Sequence, residues 1–307
     1  MIRMGILDFD TSHVTEFTKR INHIDIAEDQ WVEGARIVVG CAGQSTIAPH
    51  RIDEYRTQMI DYEIPLVAQP DEMIGKIDAV LVESLAGEPH LERVRPFLEA
   101  RIPAFVDKPF SCNLHDAIEM ARLSKLYNTP IMSASSLRFA PEVVTASDDL
   151  SSNETIQGAF VFGPAPLDPG NPGLFHYGIH SVEMLYTFMG TGCKWVSSRK
   201  TEHQPEDRAT EVVTGLWEDG RIATLRALRD DPYQFGFTLF RQNVIHSEMI
   251  STRYLYRELL KQIVKMFETN QVPVAIEETL EIIAFMEAAL ISARHDGSRI
   301  TLNHKNT

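Results

Sequence analysis

Two short stretches of the 307-residue chain carry the residue types that polar chemistry needs. Asp107-Lys108-Pro109 follows the apolar run Ala104-Phe105-Val106, so a lysine stands at a strand end with proline stiffening the backbone behind it. Held there, its ammonium can point into the crevice at the carboxyl end of a sheet; the alternative from residue type alone is a solvated turn lysine. The second stretch is His176-Tyr177-Gly178-Ile179-His180. If a helix runs over 177–189, His176 and His180 sit four residues apart and face the same way. A neutral imidazole, whose ordinary pKa lies near working pH, can accept a hydroxyl proton and return it. The alternative is a hydrogen-bonded structural pair. Helical spacing also offers His176, His180 and Glu183 as ligands, but with no His-Glu-x-x-His motif and no cysteine nearby, no metal is expected. Arg138 could clamp an anionic or hydroxyl-rich substrate, or close a structural ion pair.

The elements that must position these residues follow from periodicity. Strands are expected at 2–7, 37–39, 79–82, 104–106 and 131–132, and helices at 11–21, 48–60, 89–100 and from 114. This alternation over residues 1–135 predicts a Rossmann-like, doubly wound parallel sheet whose ligands bind at the carboxyl ends of the strands. Residues 136–307 read differently. A strand at 155–162 leads into a loop, 163–173, in which seven of eleven residues are Pro or Gly. After a helix at 177–189, strand-length segments fill 195–247, among them 211–217, 222–228 and 235–240. Glu218-Asp219-Gly220 forms a hairpin turn between the first two of these. Two helices close the chain, one with Leu255, Leu259, Ile263 and Met266 on a face, the other with Ile283, Met286, Leu290 and Ala293. This is an α+β domain on a large, mostly antiparallel open sheet. It has too few helices to cover both faces, so a second copy is expected on the open one, in a homodimer or homotetramer.

Lys plus Arg number 29 against 43 Asp plus Glu, a net charge of −14 that argues against nucleic acid or an anionic membrane as partner. No apolar run approaches the roughly 18 to 20 residues that span a bilayer, and Asp8 comes too early for a secretory signal. Three widely separated cysteines, Cys41, Cys112 and Cys193, suit a reducing cytoplasm. A cytoplasmic protein with a small-molecule substrate is the expectation.

The Lys-Pro element after this strand, with Arg138-Phe139-Ala140-Pro141 further on, resembles the Gfo/Idh/MocA oxidoreductase family. The similarity takes in the stretch from His90, which opens a helix, to Pro109, and the terminal helix and strand at 277–302. The resemblance implies NAD or NADP held by the first domain and hydride transfer at a hydroxyl-bearing carbon of a sugar, polyol or cyclitol-like substrate. It places Lys108 on the reacting hydroxyl beside the nicotinamide and aligns His180 with the family's acid/base histidine. His176 stands where the family has Asp and is counted with the catalytic groups. The implied cofactor contacts are Asp10, Thr11, Ser12 and His13 in the first loop, with Ser84, His90, Lys108 and Pro109 beyond it. The implied substrate contacts are Lys108, Arg138, His176 and His180.

The chain departs from the family pattern in three loops. In place of G-x-G-x-x-G stands Gly5-Ile6-Leu7-Asp8-Phe9-Asp10-Thr11-Ser12-His13, with its one glycine inside the strand. Helix amides near Thr11 and Ser12 can hold an anion, but Asp8 and Asp10 oppose a pyrophosphate: like charges about 4 Å apart cost about 4 kcal/mol at an effective dielectric near 20. His13 offsets part of this. After 37–39, where an acid for the ribose is usual, the chain has Gly40-Cys41-Ala42-Gly43-Gln44, with Arg51 a candidate partner for a 2′-phosphate. Glu83-Ser84-Leu85-Ala86-Gly87 replaces a Thr-Pro-Asn-like segment and brings another carboxylate. Two alternatives follow: a non-catalytic ligand-binding or regulatory relative that has lost the dinucleotide, and a non-nicotinamide enzyme in the same crevice.

Overall fold

Short runs that are apolar on both faces make the first sheet. β1 (Ile2–Leu7), β2 (Ala35–Cys41), β3 (Leu66–Val67), β4 (Ala79–Val82), β5 (Ala104–Val106) and β6 (Ile131–Met132) lie parallel in the order β3-β2-β1-β4-β5-β6. Every residue of β4 and β5 is buried, as a sheet covered on both sides requires. The connecting helices are α1 (His13–Asn22), α2 (Pro49–Asp61), α3 (His90–Glu99) and α4 (Leu114–Tyr127). Asn113 caps α4, its side chain accepting the Asp116 N–H. β3 was not expected; two residues are too few to show a period, and pairing with Gly40 and Cys41 of β2 defines them.

The structure, a computed structural model, describes residues 1–148, 155–205, 207–230 and 232–302; the rest of the stretch assigned from sequence to the second domain lies outside these. The chain divides into two units, Met1–Ala134 with Tyr256–Ile276, and Ser135–Leu255 with Glu277–Thr307. The chain leaves the first unit after Ala134. Residues 256–276, assigned from sequence to the second domain, belong instead to the first. α7 (Leu255–Thr269) packs there, with the Tyr256 ring edge-on to His13 at 5.0 Å and Phe17 at 5.6 Å. Arg257 Nη1 also donates to the Asp29 carbonyl at 2.7 Å. An amphipathic pattern says that a helix packs on something, not on which layer.

The second unit is built on β7 (Ile156–Pro164), β8 (Cys193–Lys200), β9 (Glu211–Trp217), β10 (Ile222–Leu228), β11 (Gly236–Arg241), β12 (Ile245–Met249) and β13 (Ile300–Thr301). Their order is β12-β11-β7-β10-β9-β8-β13, antiparallel except for the β7–β10 pair. Its helices are α5 (Pro141–Asp148), α6 (Ile179–Met189) and α8 (Ile276–Arg294). Period-two alternation sorts the faces. Phe237, Val161, Leu225 and Val213 pair across strands as one buried row. The row through Ile245, Phe240 and Ile222 faces outward, these side chains being 66%, 42% and 52% exposed. Ten of the eleven residues of α6 are buried, which makes it the central helix of this unit. The Glu218-Asp219-Gly220 turn joins β9 to β10 as expected, with Gly220 at φ 90°.

Candidate active site

In the first unit, the loops after β1, β4 and β5 meet because these strands are neighbours. Asp8 adopts φ 66°, which turns the chain back on itself: its N–H and that of Phe9 donate to the carbonyls of Cys41 and Ala42, both at 2.9 Å. Phe9 is buried against Gly40 and Leu66, so it fills the domain rather than the crevice. The Asp8 carboxylate accepts from the Ser84 hydroxyl and from Arg93 Nε at 3.0 Å. Asp10 Oδ1 accepts the Leu85 N–H at 2.8 Å. Both carboxylates are thus turned inward onto donors, though desolvation still raises both pKa values. Arg51, the candidate for a 2′-phosphate, reaches the Asp10 carbonyl at 3.5 Å.

Lys108 is 5% exposed, its N–H donating to Asp107 Oδ1 at 2.7 Å. His90 is fully buried. Its Nδ1 lies 3.0 Å from the Pro109 carbonyl and its Nε2 lies 2.9 Å from the Ser84 carbonyl, so the ring clasps the loop after β4 to the Lys-Pro element. This setting lets His90 position the loops around the expected cofactor site. His13 opens α1 and is stacked on Phe17 at 4.7 Å; its Nδ1 lies 2.9 Å from Asp107 Oδ2 and 3.4 Å from Glu83 Oε2. Beside the ends of β2 and β3 lies a cleft of about 600 Å³, lined by Gly43, Gln44, Gln69, Arg56 and Arg93 among others. Sequence reasoning missed Arg93 entirely; as one exposed-pattern arginine on α3 it gave no signal.

In the second unit, His180 is buried at the start of α6, edge-on to Tyr177 at 4.7 Å and Phe235 at 5.8 Å. The Ser135 hydroxyl lies 2.6 Å from its Nδ1. A hydroxyl can donate or accept, so Ser135 holds the ring in place whichever nitrogen carries the proton. His176 is not on this helix. α6 begins at Ile179 and residues 172–178 form turns, so the shared helical face expected for His176 and His180 does not exist. Gly178 caps the helix at its start, so the helical period begins three residues after His176.

Of the two fates open to Arg138 from sequence, substrate clamp or structural ion pair, the structure shows the ion pairs. Its Nε donates to Glu183 Oε2 at 2.7 Å and its Nη2 lies 2.6 Å from Glu278 Oε1, with all three side chains mostly buried. Two carboxylates absorb its charge, and the network ties α6 to the start of α8. A second buried pair, Arg229 with Glu211, anchors the 163–173 loop: Arg229 Nη1 donates to the carbonyls of Ala165 and Gly173, the latter at 3.3 Å.

Residues 43–135 match the family model described as oxidoreductase family, NAD-binding Rossmann fold. No curated protein sequence matches the chain. Among solved structures, a probable dehydrogenase from Thermotoga maritima is 19% identical, with TM-score 0.78 over 98% of this chain and 99% of that one. A myo-inositol dehydrogenase from Lactobacillus casei, in complex with NAD(H) and myo-inositol, is 12% identical, with TM-score 0.81 over 100% and 98%. A myo-inositol dehydrogenase from Corynebacterium glutamicum is 16% identical, with TM-score 0.80 over 99% of each. Residues 43–135 thus match the Gfo/Idh/MocA family model, and the fold of the whole chain is the one these solved dehydrogenases share.

Proposed function

We propose that this protein is an NAD(P)-dependent oxidoreductase acting on a hydroxyl-bearing carbon of a sugar, polyol or cyclitol-like small molecule. The observation that carries the reading is the Lys-Pro element: Lys108 stands buried at the carboxyl end of β5, inside the stretch that matches the NAD-binding family. The NAD(H) and myo-inositol bound by the Lactobacillus casei enzyme support the substrate class.

The residues present fit a dinucleotide. The cleft beside β2 and β3 has room for an adenosine, and Gly43, at φ 62°, leaves the space that the Asp8 carboxylate fills. It holds no carboxylate among the residues that line it, and Arg56 and Arg93 make a 2′-phosphate as acceptable there as a bare ribose. The first loop presents Thr11 and Ser12 ahead of α1, while Ser84, Arg93 and the Leu85 N–H draw Asp8 and Asp10 inward, which answers the repulsion expected from sequence. When bound, the nicotinamide supplies the hydride donor or acceptor. His180 takes the hydroxyl proton at Nε2, or returns it, while Ser135 fixes Nδ1. Lys108 steadies the negative charge that develops on the substrate oxygen.

Calorimetric titration with NAD(H) and NADP(H) tests this. Micromolar binding of either is the expected result; no binding at millimolar concentration would move the non-nicotinamide readings ahead. The outward apolar row of the second unit should be covered by a second copy, so light scattering should give a dimer or tetramer, and Ile245→Glu should lower that mass.

A further inference from the structure

We propose that His13, Glu83 and Asp107 form a binding site for one divalent transition-metal ion. The sheet order creates it. β1, β4 and β5 are adjacent, Glu83 and Asp107 are the first residues past β4 and β5, and His13 opens the helix that follows β1. Main-chain bonds fix the two acids in place: the Glu83 N–H donates to the Leu7 carbonyl at 2.9 Å and the Asp107 N–H to the Val82 carbonyl at 2.8 Å.

One ligand atom from each residue lies within 4.8 Å of the other two. At bond lengths of about 2.1 Å, neighbouring ligand atoms stand about 3.0 Å apart around an octahedral ion and about 3.4 Å apart around a tetrahedral one. His13 Nδ1 stands 2.9 Å from Asp107 Oδ2 and 3.4 Å from Glu83 Oε2. Neither contact has the direction of a hydrogen bond. His13 Nδ1, Asp107 Oδ2 and both oxygens of Glu83 are inaccessible to solvent and have no hydrogen-bond partner. Glu83 and Asp107 face the His13 ring and the charge of Lys108, yet these three oxygens accept no hydrogen bond, and a cation at the common focus would satisfy them.

The surroundings suit ligation. Glu83 and Asp107 are 0% exposed; the Lys108 ammonium acts on both, so an ion would bind through the two carboxylates against that charge. Asp107 Oδ1 is taken by the Lys108 N–H, which orients Oδ2 toward the focus. Phe17 and Tyr256 pin the imidazole from its face and its edge. One imidazole nitrogen and two carboxylate oxygens, with no thiolate, select ions such as Zn²⁺, Mn²⁺, Fe²⁺ or Co²⁺. The sequence expectation was of no metal in the chain; the trio weighed there was His176, His180 and Glu183, and this site departs from that expectation. This site does not depend on the nicotinamide reading, and failure of dinucleotide binding would leave it intact.

The test uses the full chain, stripped with EDTA and titrated calorimetrically with Zn²⁺, Mn²⁺ and Co²⁺. The expected result is one ion per chain with a submicromolar dissociation constant, weakened by about a hundredfold or more in Glu83→Gln and in Asp107→Asn. The Co²⁺ form of the unaltered chain should show visible d–d bands that His13→Gln and EDTA abolish. Binding that both acid variants leave unchanged would mean an adventitious surface ion only and would overturn the proposal. So would the absence of binding at millimolar metal. If circular dichroism shows the variants unfolded, the Co²⁺ spectrum of the unaltered chain decides: EDTA-sensitive bands support the site, and a featureless spectrum refutes it.

Discussion

His180→Ala should lower kcat/KM for the hydroxyl substrate by about 10²- to 10⁴-fold, the range for losing a positioned general acid/base. The affinity for the dinucleotide should stay unchanged, because His180 is not among the residues that line the nucleotide cleft. His180 packs edge-on to Tyr177 and Phe235, so truncation also leaves a small void. His180→Gln keeps most of that volume and removes the basic nitrogen, and should lose nearly as much turnover. Ser135→Ala separates positioning from proton transfer. It removes the 2.6 Å partner of Nδ1 and should lower kcat moderately with KM unchanged, and Ser135→Thr, which keeps the hydroxyl, should restore most of the loss. Lys108→Met should cost about 2.7 to 4 kcal/mol of transition-state stabilisation, the scale for one preorganised donor. Steady-state kinetics beside thermal melts check all five variants. Turnover near that of the unaltered protein in His180→Gln would remove histidine from the reaction and leave the binding-module reading in front.

Much of the frame that holds these residues is legible in the amino-acid order. β4, β5, β6, β9 and β10 begin and end where their apolar runs do, since a strand buried on both faces or cleanly alternating leaves no second reading. What escapes is whatever depends on a partner distant in sequence. α7 shows a clear apolar face, yet only packing against His13 and Phe17 assigns it to the first unit. Arg138 has two equally sound fates on paper, and Glu183 and Glu278, 45 and 140 residues away, decide between them. Asp8 and Asp10 look hostile to an anion until Ser84, Arg93 and the Leu85 N–H supply the reason they turn inward. The meeting of His13, Glu83 and Asp107 was within reach. Each residue stands at a carboxyl end, and a doubly wound order makes the ends of β1, β4 and β5 neighbours. What the sequence could not supply is that all three side chains point to one focus.

The largest loss of stability should come from Arg229→Met, far from any proton transfer. Arg229 and Glu211 pair with side chains 0% and 3% exposed, and the Ser198 hydroxyl donates to the other Glu211 oxygen at 2.6 Å. Removing the arginine strands a buried carboxylate with one hydroxyl for company, a change that costs about 3 to 5 kcal/mol out of the roughly 5 to 15 that hold a domain folded. It also releases the carbonyls of Ala165 and Gly173, the two ends of the Pro/Gly loop that leads into the His176 turn. Urea unfolding should show the loss as a lower midpoint with an unchanged slope. The same physics predicts a rescue. In Arg229→Met with Glu211→Leu the uncompensated charge is gone and the space is filled, and buried pairs replaced in this way are often neutral in stability. The double variant should therefore be more stable than Arg229→Met alone, a strongly non-additive cycle for two residues in contact. If the two losses simply add, the buried charge is not what Arg229 neutralises, and its role reduces to the two loop carbonyls.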